Sequence, residues 1–219
     1  LVENQKLFRV SRLEDKNLDA FYEDQVIKQL KLRAPKANGI VVSDFVYGVI
    51  TQRVLKVVEQ LAQKHELMLF GDLQCSSQVG SITRFQNFSL LCPNEREARL
   101  ALQDKASGLE QLSQQMIKHT NCKRLLMKLG SEGFIAYDRD EKGQLINQPF
   151  PALSVNPLDV TGAGDSLLAV MATGLASQQA MMPTAALATC MSAVAVGKMG
   201  NEPILADALR ERICKVLNQ

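Results

Sequence analysis

A chain of 219 residues with 46% hydrophobic content can bury one sizeable core, and its length fits one or two domains, one being the simpler count. Twenty-five basic against 23 acidic residues leave a net charge of +2, with no basic block and 5% aromatics, which argues against a nucleic-acid partner. The longest weakly polar stretch, Ala185 to Gly197, contains Thr189 and Ser192 and is too short to span a bilayer, so no membrane partner is expected either.

In chain order, the apolar spacing predicts an amphipathic helix over Leu18 to Leu32, and a buried strand from Gly39 to Asp44 that ends in an acid. A helix from Thr51 to Lys64 and a strand from Leu67 to Asp72 follow. Phe88 to Cys92 reads as a further strand, then come helices near Glu95–Leu102 and Leu109–His119, and strands Arg124–Leu129 and Phe134–Tyr137. Asp138 to Gln148 reads as a polar hairpin loop. Helices fill the remainder from Gly164, broken near Pro183 and again near Pro203. Strands alternating with helices imply an α/β fold, a mainly parallel sheet with helices on both faces.

Ligands of such sheets bind beyond the carboxyl ends of the strands. Asp44, Asp72, Asn94 and Gly130 all follow apolar runs, so they should line one edge together with the turn Gly162–Asp165. Asp44 and Asp72 also read as turn residues that simply end their strands.

That turn carries the chemistry. Gly162 and Gly164 open backbone conformations closed to residues with a Cβ, so successive N–H groups can point at one spot. The helix behind adds its unpaired first-turn amides and positive dipole end, which favour a phosphate there. Asp165, in the first turn, can accept a proton from a substrate hydroxyl. The plain alternative is an ordinary capped helix with Thr161 as N-cap.

Five cysteines, Cys75, Cys92, Cys122, Cys190 and Cys214, are scattered without a Cys-x-x-Cys pair. They read as reduced, mostly buried thiols of a cytoplasmic protein. His65 and His119 fall near predicted helix ends, where the dipole favours them, and lack ligand-like spacing.

Three segments together resemble the ribokinase-like (PfkB) carbohydrate kinases. Asp159-Val-Thr-Gly-Ala-Gly-Asp165 is similar to the family signature, Leu91-Cys-Pro-Asn-Glu-Arg-Glu-Ala98 to its Asn-x-x-Glu stretch, and Leu125 to Tyr137 to its strand, Gly-x-x-Gly turn and strand beside the nucleotide. Asn94 to Glu97 reads equally as a helix start with a reciprocal cap, and Gly130 to Gly133 as a simple turn. The resemblance implies Asp165 as catalytic base and the amides of Gly162, Ala163 and Gly164 as anion hole. It further implies Asn94 and Glu97 organising phosphate and Mg²⁺ through water, with Lys128, Gly130, Gly133, Thr161 and Thr189 also on the nucleotide side.

ATP and Mg²⁺ are the implied cofactors, a monovalent cation is an open addition, and the acceptor is a sugar or sugar phosphate. Val42-Ser-Asp-Phe45 with Gly48, the Asp72 region, the signature and Val194 to Gly200 resemble the members that act on heptose 7-phosphate. The chain departs from them at Tyr47 and Gln74, where they carry lysines, and at Thr189, where they carry asparagine. Lost lysines weaken anion binding.

From about Leu7 onward the resemblance spans the chain, but Leu7 to Arg12 is similar to a segment well inside these kinases. Residues 1–219 are therefore expected to form the C-terminal part of one ribokinase-like domain, truncated at the N-terminus. A sheet edge left without its lid makes a homodimer one option. The alternative is a non-catalytic nucleotide-binding or regulatory domain derived from such a kinase. A nicotinamide-binding domain is disfavoured because the glycine turn lies late and lacks the Gly-x-Gly-x-x-Gly spacing.

Overall fold

The computed structural model describes residues 16–74, 80–154, 157–200 and 203–218; the Leu7–Arg12 segment and Cys75 lie outside them. Helix α1 (Ala20–Arg33) begins where the Asp19 side chain accepts the Tyr22 amide, and α2 (Gln52–His65) where Thr51 Oγ1 accepts the Val54 amide at 3.1 Å. Strand β1 (Gly39–Asp44) lies between them. The chain continues through β2 (Met68–Leu73), β3 (Leu90–Leu91), α3 (Glu95–Leu102), α4 (Leu109–Thr120), β4 (Leu125–Lys128), β5 (Phe134–Arg139), β6 (Leu145–Phe150), α5 (Ala163–Ala176), α6 (Met181–Val196) and α7 (Ala206–Leu217).

The strands form one six-stranded sheet in the order β1-β2-β3-β4-β5-β6. β1 to β4 run parallel, and β5 and β6 extend the sheet antiparallel. The alternation of side chains along each strand divides the core in two. Leu69, Leu73, Leu91, Leu125, Met127 and Tyr137 pack with Leu55, Val58, Leu112 and Met116 of α2 and α4. Phe70, Leu90, Cys92, Leu126, Phe134 and Ala136 face α5 and α6 through Leu167, Leu168, Met171 and Ala185. The sheet is thus covered on both faces. α6 lies close against α5: a Cβ on Gly174 would stand 2.5 Å from Thr184 Cγ2. Among the described residues, no helix is long and apolar enough to cross a membrane.

Two sequence expectations are corrected. Asp138 to Gln148 is not a loop: β5 runs on to Arg139, residues 140–144 make the turn, and β6 begins at Leu145. β6 is an edge strand with four successive exposed residues, so it lacks the apolar alternation by which strands are read, and an edge also tolerates Pro149. The break expected near Pro183 is present at residues 177–180, between α5 and α6, and Pro183 itself occupies the first turn of α6, where no intrahelical N–H is needed. Of the stretch Phe88 to Cys92, only Leu90–Leu91 forms strand.

Candidate active site

The same period-two alternation delivers charges to the carboxyl end of the sheet. Asp72 follows Phe70, and Lys128 follows Leu126, on the face that α5 covers. Lys128 Nζ lies 2.7 and 2.9 Å from the two carboxylate oxygens of the fully buried Asp72. Burial alone would push the lysine pKa down, but the Asp72 and Glu97 carboxylates and the hydrogen bond to Asp72 outweigh it and hold it above the ordinary value. The ion pair lies close to the start of α5: a Cβ on Gly164 would stand 3.6 Å from Lys128 Nζ and 3.8 Å from Asp72 Oδ2. Burial, and secondarily the Asp72 charge, pushes the neighbouring Cys92 thiol up, so it is not a reactive thiolate.

The glycine turn differs from expectation in two respects. The N-cap of α5 is Gly162, at φ +79°, not Thr161, and it makes no side-chain cap. Gly164, by contrast, needs no left-handed conformation, so its missing side chain serves space alone. Buried Asp159 organises the turn, its Oδ1 accepting the Thr161 amide at 3.0 Å and its Oδ2 the Gly200 amide at 3.1 Å. The amides of Leu158 and Asp159 both donate to the Val196 carbonyl, which ties the turn to the end of α6. Ala163 donates to Val160 at 3.4 Å, so one of the three expected donors is engaged within the turn itself. The amides of Gly162, Gly164 and Asp165 meet no acceptor among the described residues.

Asp165 is half-buried, and one of its oxygens is engaged. Oδ1 accepts from Gln74 Nε2 at 3.3 Å and from Ser43 Oγ at 3.5 Å, whereas Oδ2 receives no donor among the described residues. Neither Ser43 nor Gln74 was anticipated as a partner of the acid. The available signal was position: Ser43 pairs with Asp72 in the β1–β2 register, and Gln74 follows β2 directly.

Asn94 and Glu97 cap α3 reciprocally. Each side chain accepts the other's amide at 2.8 Å. This cap adjoins Lys128, whose amide donates to Pro93 and which forms an isolated parallel bridge with Asn94. Their oxygens are the hard donors that Mg²⁺ takes, but among the described residues no three His, Cys, Asp or Glu side chains gather to hold a metal. The residues therefore fit a metal that arrives with its own ligands and is contacted through water.

The remaining candidates are further from open chemistry. Gly133, at φ +98°, closes the β4–β5 turn, and a Cβ there would stand 2.1 Å from the Phe150 carbonyl; Gly130, at φ +64°, faces open space. The Thr189 hydroxyl is buried and donates to Ala185 in its own helix. Asp44 is a strand-ending turn residue: Oδ1 takes the Val46 amide and Oδ2 pairs with Arg84. His65 and His119 occupy the last turns of α2 and α4, and Cys92, Cys122, Cys190 and exposed Cys214 are free thiols.

The architecture is that of a ribokinase-like α/β fold. Phosphofructokinase-2 from Escherichia coli in complex with potassium superposes with a TM-score of 0.70 at 16% identity, covering 87% of this chain and 62% of that one. Ribokinase from Thermotoga maritima gives 0.65 at 18%, covering 84% and 59%. The model of the pfkB family of carbohydrate kinases matches residues 11–207, and the chain belongs to that family. Bifunctional protein HldE of Geobacter metallireducens is 29% identical over 205 residues, 92% of this chain and 40% of that protein. Its counterpart in Helicobacter acinonychis is 30% identical over 221 residues, 100% of this chain and 45% of that protein. The chain thus spans less than half the length of these relatives.

Proposed function

We propose that this chain serves ATP-dependent transfer of the γ-phosphoryl group to a hydroxyl of a sugar or sugar phosphate. The observation that carries the reading is the pairing of the open Asp165 Oδ2 with unpartnered amides at the start of α5, beside the Lys128–Asp72 pair. A helix N-terminus favours anions, and an adjacent carboxylate can take the acceptor proton.

In this reading Asp165 is the base. The amides of Gly162 and Gly164 stabilise charge on the moving phosphoryl group, and Ala163 joins them if its long bond to Val160 opens. Lys128 contributes a half-buried positive charge near the phosphates, and Gly130, Gly133, Thr161 and Thr189 lie on the nucleotide side, as the family resemblance implies. When bound, Mg²⁺ neutralises charge on the β- and γ-phosphate oxygens, and Asn94 and Glu97 would hold it through water. Positioning and electrostatics then account for most of the rate.

The segments similar to the heptose 7-phosphate kinases, together with relatives named bifunctional protein HldE, favour a sugar phosphate as acceptor. The test is ATP consumption by the full-length protein against a panel of sugars, sugar phosphates and nucleosides. Turnover with one class supports the reading. ATP binding without turnover on any acceptor supports the non-catalytic domain instead.

A further inference from the structure

We infer that Ser43 and Gln74 are positioning residues that hold Asp165 by Oδ1 and reserve Oδ2 as the oxygen that receives the acceptor proton. The inference rests on Asp165 being the base.

Both donors converge on one carboxylate oxygen, at 3.5 Å from Ser43 Oγ and 3.3 Å from Gln74 Nε2. A carboxylate in an open cleft turns freely about its last torsion. One held by two donors on the same oxygen keeps its other lone pairs aimed one way. Such bonds are often long before substrate binds and tighten in the reacting complex.

The donors themselves sit on rigid parts of the fold. Ser43 is the penultimate residue of β1, in register with Asp72 of β2. Val42 belongs to the α2 and α4 core, so alternation turns Ser43 to the α5 face. The Gln74 amide donates to the Asp44 carbonyl at 2.8 Å, which clamps the ends of β1 and β2 together just where both side chains leave the sheet. Asp44 is in turn fixed by Val46 and Arg84. A base on the first turn of α5 is thereby registered against the sheet edge, and sites on regular elements hold geometry better than sites on loops.

The step then balances simply. The acceptor O–H bond breaks, its proton passes to Oδ2, and its electron pair forms the new O–P bond. The bond from the γ-phosphorus to the β–γ bridging oxygen breaks, leaving ADP. Oδ1 stays with its two donors throughout.

The test is a double-mutant cycle in the full-length protein, on the acceptor found by the screen above. Gln74→Met keeps the length and removes the donor, and Ser43→Ala removes the hydroxyl. Each is expected to lower kcat on the order of 10-fold to 10²-fold, with KM for ATP and acceptor little changed and the unfolding midpoint retained. Ser43→Thr, which keeps a hydroxyl, should restore most of the rate. In an Asp165→Asn background the same substitutions should change the residual single-turnover rate by less than about twofold, because their effect runs through the missing carboxylate.

Equal fold-losses in both backgrounds, or undiminished kcat in Q74M and S43A, would overturn the inference while leaving the kinase reading intact. If Q74M fails to fold, the S43A and S43T pair decides alone. A wild-type protein that transfers no phosphoryl group to any acceptor removes the kinase reading and this inference together.

Discussion

Lys128 and Asp72, 56 residues apart in sequence, form a two-pronged ion pair at 2.7 and 2.9 Å close to the first turn of α5. Asp72 is wholly buried, so removing its partner leaves an uncompensated charge rather than a lost surface contact. Lys128→Met is therefore expected to cost about 3–5 kcal/mol of stability, and the double replacement Asp72→Leu/Lys128→Met to recover most of it. Urea unfolding of the two variants beside wild type measures this. A single variant as stable as wild type would mean the pair is not isolated from water.

The same pair sets an alkaline limit. The folded Lys128 pKa lies above the ordinary lysine value of 10.5. A raised pKa contributes stability that is fully present below the unfolded value and is lost as pH rises through the folded one. The difference in urea midpoint between wild type and K128M should thus stay constant from neutral pH to about pH 10 and shrink above it. A difference that persists undiminished well above about pH 10 would contradict this origin.

Gly164 separates fold from function. Its backbone is ordinary helix and a Cβ would be in plain van der Waals contact, so Gly164→Ala should leave the unfolding temperature unchanged or raise it by the equivalent of up to about 1 kcal/mol. The added methyl group faces the Lys128–Asp72 pair, where phosphate is proposed to approach. KM for ATP should rise several-fold. An unchanged KM would place the phosphates elsewhere.

Asn94 and Glu97 have a structural role whatever else they do. Asn94→Ala should cost about 0.5–2 kcal/mol through the lost cap. Glu97→Gln keeps an oxygen able to accept the Asn94 amide but loses the charge. Its expected effect is a higher Mg²⁺ concentration for half-maximal activity, with a smaller change in unfolding midpoint than N94A. Equal Mg²⁺ dependence in E97Q and wild type would leave the pair as a cap alone.

Much of this was legible in the residues, for identifiable reasons. β1, α2, β2, α3 and α5 begin or end within about two residues of their predicted limits: apolar runs mark the strands, side-chain caps start α2 and α3, and the glycine turn starts α5. β6 was missed because an edge strand exposed along four successive residues looks like a polar loop. The sequence motif pointed to Gly162 and Gly164 alike, yet only the backbone separates a left-handed cap from a helical position chosen for space. Contacts across the sheet, Lys128 to Asp72 and Gln74 to Asp165, depend on strand order and register, which no local pattern encodes.

The most direct measurement of the account is phosphoryl transfer by Asp165→Asn alongside wild type, on the acceptor that the panel identifies. The replacement keeps the side chain's size and one acceptor oxygen, so the fold and ATP binding should persist. Turnover should fall by about 10²–10⁴-fold or more, the usual worth of general-base help. Asp165→Asn turnover equal to wild type, in a protein that still binds ATP, would contradict the assignment of Asp165 as the base.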